Sequence, residues 1–278
     1  MIQLNGGFNM LSYDTFSSQY NLDPIEQQIL RKMIMSPNVY YFSSRQQLYF
    51  ELRFRHETIK ASYALNESGV SFAVFSQSRC NSQYWYRTNN GGFQLKRGVP
   101  SSIAVHDIYT NGHLYAFECA TAIIILLYKA TLNMIGELQF NRLFANLYIR
   151  DWQHDRDLRL LTRSFPDYFP GDVRYFKNPD VDPYQPQWQG ENAVDLGNGL
   201  YYGHGIGVRT GDEMIFYLNQ HRIPFAERSA YLLDQATRPG YKYLSRYSQY
   251  RRAAAAFVPP MLDDQMVIGT VGQLRFVG

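Results

Sequence analysis

Cysteine is scarce in this chain, with two in 278 residues, at positions 80 and 119. That excludes a disulfide-stapled secreted scaffold and suits a reducing compartment, with Cys80 read as a buried or idle thiol. Charge of one sign is scarce as well: the net charge is +3, and no Lys/Arg run exceeds Arg251-Arg252. Nothing there marks a surface for nucleic acid or an anionic membrane, and no nucleic-acid motif is present. The Ala120–Leu127 apolar run is far shorter than the roughly 20 residues that cross a bilayer, so no membrane is expected. Met1-Ile2-Gln3-Leu4-Asn5-Gly6-Gly7 lacks a basic n-region and a continuous apolar h-region, so export is not expected. The histidines other than His204 have no ligand-like spacing with either Cys or with one another, so neither a metal nor a cofactor is expected. Gly203-His204-Gly205-Ile206-Gly207 lacks the strand–loop–helix setting of a nucleotide loop.

Aromatic residues are abundant: 23 Tyr, 18 Phe and 3 Trp make up 16% of the chain. They describe either an aromatic core or a site walled by rings that exclude water. Hydrophobic content of 45% against 18% charged residues indicates a folded globular protein.

Along the chain, Asp23-Pro24-Ile25-Glu26 has the signature of a helix start, with Asp23 as N-cap and Pro24 at the first position. A longer helix is predicted from Ser44 to about Leu65, a strand over Val70–Phe75, and a short extended piece at Phe93–Leu95. A helix beginning near Glu118 carries the apolar run, and a second helical stretch follows from Gly136 to about Ile149. Pro170-Gly171-Asp172 is a turn feeding a strand through Phe176. Helix is predicted again from Asp212 or Glu213 to Arg222, and over Arg228–Leu232. Helices mixed with short strands, without regular alternation, indicate an α+β fold with an antiparallel sheet. A single domain is expected over 1–249, with 1–110 its helical or mixed N-terminal part and 250–278 a C-terminal extension.

The helix beginning near Glu118 places Cys119 in its first turn. There, unpaired backbone N–H groups and the positive end of the dipole favour a thiolate. The plainer alternative is a buried structural thiol. A second informative stretch runs from Trp188 to Val208. Asn198-Gly199 between two extended arms predicts a two-residue hairpin. Stepping outward pairs Ala193 with His204 and Glu191 with Ile206, so Glu191 and His204 share a face as diagonal neighbours, about 7–8 Å apart. A three-residue loop instead shifts the register by one and sends them to opposite faces. A Cys at a helix start with a His and an acid on a facing sheet has the geometry of thiol acyl transfer. Asp151-Trp152-Gln153-His154-Asp155 is read as a solvated charged turn.

Several stretches carry a resemblance: Tyr115–Ala122 around Cys119, Phe140–Leu147, Pro170-Gly171-Asp172, Tyr175–Val181, Pro186–Asn192, Tyr201–Gly207 and Thr237–Leu244. In these the chain resembles the bacillus-type spore-coat protein-glutamine γ-glutamyltransferases, or transglutaminases. The resemblance implies a papain-like (NlpC/P60-like) α+β domain and calcium-independent transamidation. It carries the nucleophile to Cys119, its acidic partner to Glu191, a substitute acid to Glu118 and a supporting role to His204. It also implies coat proteins as partners, one supplying Gln and another Lys. The expected location is the mother-cell cytoplasm and then the spore coat, and a monomer is expected.

Two arguments then conflict over the proton of Cys119. Ordinary pKa values of about 8.5, 6.5 and 4.3 make transfer to His uphill by about 2.7 kcal/mol and to Glu by about 5.7 kcal/mol. That favours His204 as base, whereas the resemblance favours Glu191. The two agree only if Glu191 is desolvated, raising its pKa, and the helix terminus lowers that of Cys119, with Trp188, Tyr201 and Tyr202 as the nearby apolar surface. Trp152, Trp188, Tyr201 and Tyr202 are the candidate substrate-binding rings. The competing functions are a papain-like cysteine peptidase or amidase, and a non-catalytic Tyr-rich coat scaffold.

Overall fold

The organising element is the apolar run itself. Residues Cys119–Ile135 form a 17-residue helix in which all but Cys119, Lys129 and Asn133 are buried. A helix that is apolar around its whole circumference belongs at the centre of a fold, with other elements packed on every side. The structure, a computed structural model, describes residues 1–4, 13–248, 269–271 and 274–276. The helices are α1 (Tyr13–Tyr20), α2 (Pro24–Met35), α3 (Arg45–Glu67), α4 (Ser101–Thr110), α5 (Cys119–Ile135), α6 (Glu137–Leu143), α7 (Gly211–Asn219) and α8 (Tyr241–Leu244). The strands are β1 (Ile2–Leu4), β2 (Tyr40–Phe42), β3 (Ser71–Phe72), β4 (Trp85–Arg87), β5 (Phe93–Leu95), β6 (Ala116–Phe117), β7 (Tyr148–Ile149) and β8 (Leu161–Arg163). They continue as β9 (Val173–Lys177), β10 (Gly190–Gly197), β11 (Leu200–Gly203), β12 (Gly207–Thr210), β13 (Tyr231–Leu232), β14 (Ala236–Arg238), β15 (Gly269–Val271) and β16 (Leu274–Phe276).

The main sheet runs β12-β11-β10-β9-β14-β8, with β13 also on β9, and its pairings are antiparallel. The α+β fold with a central Cys-bearing helix on an antiparallel sheet is what the structure has. Two short pairs, β1–β2 and β3–β6, are parallel. Alternation along β10 sorts its side chains: Val194 and Leu196 join the α5 core, and Ala193 joins a smaller cluster under α7 with Phe176, Met214 and Leu218. A third cluster lies between α2, β2 and α3.

The starts of α2 and α3 follow the sequence signals. The Glu26 carboxylate accepts from the Asp23 amide at 3.0 Å, and Ser44 caps α3 through Gln47 N at 3.1 Å. Arg53 bridges Asp23 and Glu26 at 2.7 and 3.0 Å, so a guanidinium sits at the only Asp/Glu/His grouping with metal-like proximity, Asp23, Glu26 and His56, among the described residues. Arg55 and Asp172, both fully buried, pair at 2.7 Å and tie α3 to the turn before β9, where Arg238 adds two further 2.7 Å bonds.

Three predicted elements differ. The Val70–Phe75 strand is only β3, because the chain turns into a short 3₁₀ segment at Phe75–Gln77. The stretch after Gly136 is helical only to Leu143, and Tyr148–Ile149 leaves to pair with β5. Arg228–Leu232 is not helical: Tyr231 and Leu232 pair with Lys177 and Phe176, a partner far away in sequence. Most of 250–278 lies outside the described residues, and β15 and β16 within it pair with each other.

Candidate active site

Glu118 is the N-cap of α5. Its carboxylate accepts from Ala120 N at 2.9 Å and from Thr121 N and Thr121 Oγ1 at 2.7 Å each. Thr121 Oγ1 in turn accepts from Asp151 N at 2.9 Å, which ties the Asp151–Asp155 turn to the helix start. Cys119 therefore sits at a helix N-terminus, as expected, but a carboxylate already occupies two of the free amides of that turn. The predicted thiolate-favouring field is cancelled at its source.

Cys119 is a free thiol, partly open to a cleft of about 700 Å³. Phe72, Phe75, Trp152, Tyr175, Asn192 and Thr237 are among the cleft walls. Burial, then the nearby carboxyl groups of Glu191 and Glu118, push the thiol well above its ordinary range, so it rests protonated. Opposing them is Asn192, whose Nδ2 lies 3.5 Å from Sγ and whose backbone N–H also favours the thiolate. The pleat explains this contact, since Asn192 shares the α5 face of β10 with Val194.

Glu191 is fully buried, and neither of its carboxyl oxygens has a hydrogen-bond partner, the thiol included. It springs from the other face of β10, opposite Phe176, and packs on Gly203: a Cβ at that glycine would stand 2.7 Å from Glu191 Cγ. Burial, then the charge of Glu118, raises its pKa well above the carboxylate range, with the nearby His204 backbone amide acting in the opposite direction. Desolvation of Glu191, one of the two conditions for reconciling the proton arguments, is thus met. The other is not, because burial and the carboxyl groups raise the Cys119 thiol instead of the helix terminus lowering it.

The hairpin register differs from the expected one. Gly197 does pair with Leu200 around Asn198-Gly199, but a bulge at Leu196 shifts the ladder, and Ala193 faces Gly203 rather than His204. His204 falls in the three-residue turn between β11 and β12, so it and Glu191 are not diagonal neighbours on one strand face. Its ring is buried against Phe117, centroids 4.9 Å apart. His204 Nε2 donates to the Phe117 carbonyl at 3.1 Å, which leaves Nδ1 to accept from Tyr202 Oη at 3.3 Å. Burial lowers its pKa to about 4, so the imidazole is neutral and both nitrogens are engaged.

Of the four candidate rings, Trp152 lines the cleft. Trp188 stands behind it, stacked between Phe72 (5.4 Å) and His221 (4.7 Å). Tyr201 packs edge-on to Phe176, and Tyr202 is buried beneath His204. Sequence reasoning missed Asn192, Phe72, Phe75 and Tyr175. Only adjacency to Glu191 signalled Asn192, and an even-odd count along β10 would have placed it on the cysteine side.

Comparison with known proteins decides the family. Residues 1–248 match the family described as protein-glutamine gamma-glutamyltransferase. The chain belongs to that family. It is 45% identical over 262 residues to the protein-glutamine gamma-glutamyltransferase of Bacillus cereus (strain B4264), covering 94% of this chain and 92% of that one. The enzyme of the same name from Bacillus mycoides (strain KBAB4) matches to the same extent, 45% over 94% and 92%. A solved structure titled transglutaminase from Geobacillus stearothermophilus (without C-terminal extension) superposes with a TM-score of 0.72 at 51% identity, covering 74% of this chain and 99% of that one. A transglutaminase is an acyltransferase that cross-links proteins, so its substrates are proteins. No helix among the described residues is long and apolar enough to cross a membrane.

Proposed function

We propose that Cys119 carries out transamidation through a thioester, with Glu191 as the proton acceptor. The observation that supports this best is the juxtaposition of a cleft-facing thiol with a fully buried, unpartnered carboxyl group. Sγ adds to the carboxamide carbon of a Gln side chain while its proton passes to Glu191, directly after a side-chain rotation or through one water. The tetrahedral adduct collapses, the C–N bond breaks, and the proton on Glu191 leaves with ammonia. A Lys Nζ then attacks the γ-glutamyl thioester and gives its proton to Glu191. The isopeptide forms, and the thiol is restored.

Magnitudes favour Glu191 over His204. With His204 near 4 and the thiol at or above its ordinary value of about 8.5, transfer to the imidazole is uphill by at least about 6 kcal/mol. The pKa of Glu191 moves in the same direction as that of the thiol, whereas that of His204 moves the opposite way. His204 then acts as a strut, fixing the Phe117 carbonyl two residues before Cys119. Asn192 donates to the sulfur as negative charge develops there. Glu118 can replace Glu191 only by giving up its cap bonds. Trp152, Phe72 and Phe75 dry the cleft so that amine outcompetes water at the thioester, and Trp188 buttresses Phe72. Tyr201 and Tyr202 support this wall from within and touch no substrate.

Calcium independence, coat proteins as partners, and passage from the mother-cell cytoplasm to the spore coat follow from the resemblance. The test is incorporation of a fluorescent primary amine into casein, with chelator or with added calcium. Incorporation unaffected by chelator and absent in Cys119→Ala supports the proposal. Casein cleavage without incorporation would sink it in favour of a peptidase, and calcium-dependent incorporation would remove that part alone.

A further inference from the structure

A second cleft, of about 520 Å³, opens beside α8. Two of its charged residues are already neutralised: Arg238 is bonded to Asp172, and Glu51 is paired with Arg55. Arg159, Lys242 and Arg246 remain, all exposed and all without an ion pair among the described residues. The Arg159 guanidinium lies 4.0 Å over the Tyr243 ring, whose hydroxyl is held by Asp157 at 2.5 Å. Tyr41 is 71% exposed and Leu161 50% exposed on the same cleft. Unpaired cations beside the exposed ring of Tyr41 and the half-buried ring of Tyr243 suit an extended chain bearing carboxylates and aromatic residues.

The position of this cleft relates it to the catalytic one. Leu161 and Arg238 are paired across β8 and β14 and line the cationic cleft, and the next pair, Thr162 and Thr237, lines the Cys119 cleft. Successive strand residues face opposite sides, so the two clefts flank one sheet edge, and β8 is the outermost strand there. At roughly 3.3 Å per residue, an extended peptide crosses such an edge within a few residues.

We propose that this cleft is an exosite for an acidic, aromatic-containing segment of the Gln-donor protein, a few residues from the Gln that Cys119 acylates. This rests on the transamidation proposed above. Substrate choice then depends on charge flanking the Gln rather than on the carboxamide itself.

The experiment uses the full chain and three donors: a blocked Gln-Gly dipeptide, a peptide with Asp, Glu and Tyr flanking its Gln, and the same peptide with Lys in place of the acids. Wild type and the Lys242→Glu/Arg246→Glu double variant are compared. In wild type the acidic peptide has a KM about tenfold below that of the basic one, and added salt narrows the gap. The double variant raises the acidic peptide's KM about tenfold with kcat unchanged, and leaves dipeptide turnover as it was. Equal KM values for the two peptides in wild type, or a parallel rise for both in the variant, overturn the proposal. A binding titration separates this from failure of the chemistry. A fluorescent acidic peptide lacking Gln should bind Cys119→Ser protein and lose affinity in the charge-reversed variant. If a DNA oligonucleotide binds instead and the peptide does not, the cleft serves nucleic acid and the proposal is wrong. Absence of dipeptide turnover by wild type would strike at transamidation, whereas this titration reports on the exosite regardless.

Discussion

Replacing His204 by Gln separates the strut from the base. The buried imidazole has a pKa of about 4 and donates to the Phe117 carbonyl while accepting from Tyr202. Gln keeps an N–H donor and an acceptor but cannot take a proton. If His204 only positions Cys119, the substitution weakens one or two neutral hydrogen bonds worth about 1 kcal/mol each, so kcat falls about 5- to 30-fold. If it were the general base, the loss would be about 10²- to 10⁴-fold. Glu191→Gln is the comparator, and there the larger loss is expected. Stability gives a second reading. A His whose folded pKa is depressed binds fewer protons folded than unfolded between about 4 and 6.5, so stability is lost as pH falls through that window. The difference of about 2.5 units corresponds to about 3 kcal/mol, which His204→Gln removes. Amine incorporation from pH 5.5 to 9 and denaturant unfolding over pH 4 to 7 are the assays. Loss beyond a thousandfold in a variant with wild-type circular dichroism, or an unchanged unfolding profile below pH 6.5, refutes the strut.

Two other changes test the surroundings of the sulfur. Asn192→Ala removes the side-chain donor at 3.5 Å and should move the alkylation profile of Cys119 to higher pH by about one unit, read with iodoacetamide and peptide mapping. Gly203→Ala places a methyl 2.7 Å from Glu191 Cγ, so the carboxyl must move; kcat should drop tenfold or more while the melting temperature changes by only a few degrees. Asp172→Asn tests the scaffold instead. Burial works against the Asp172 carboxylate, but Arg55 and Arg238 outweigh it and hold its pKa below the usual range. Losing that charge leaves the fully buried Arg55 with Glu51 as its only carboxylate partner among the described residues, at a cost of about 3 kcal/mol and a melting temperature lower by about 8 °C.

The sequence made much of this site readable, and local chemistry explains where it succeeded. Asp23-Pro24, Ser44 and Glu118 begin helices because each supplies a cap to a run whose apolar spacing is already helical. Asn198-Gly199 turns the chain because both residues accept positive φ, 54° and 76° here. What failed was governed at a distance. The bulge at Leu196 leaves no mark in local composition, yet it moves His204 from the strand position opposite Ala193 into a turn with its ring against Phe117. Tyr231 and Leu232 are extended because β9 offers them an edge, which no window around Arg228 can reveal. Cys119 was expected to be ionised from its place on a helix. Glu118 caps that same turn, and with burial and Glu191 it reverses the sign.

The nucleophile itself is open to direct observation. The 278-residue chain is mixed with a Gln peptide in the absence of any amine, quenched in acid, and its intact mass and peptide map are recorded. Acylation at Cys119 should add the peptide mass less ammonia, and hydroxylamine should release it. The same experiment with Glu191→Gln should give little or no adduct. Wild-type protein that turns over casein and amine yet shows no adduct on Cys119, or carries it on Cys80, contradicts the account.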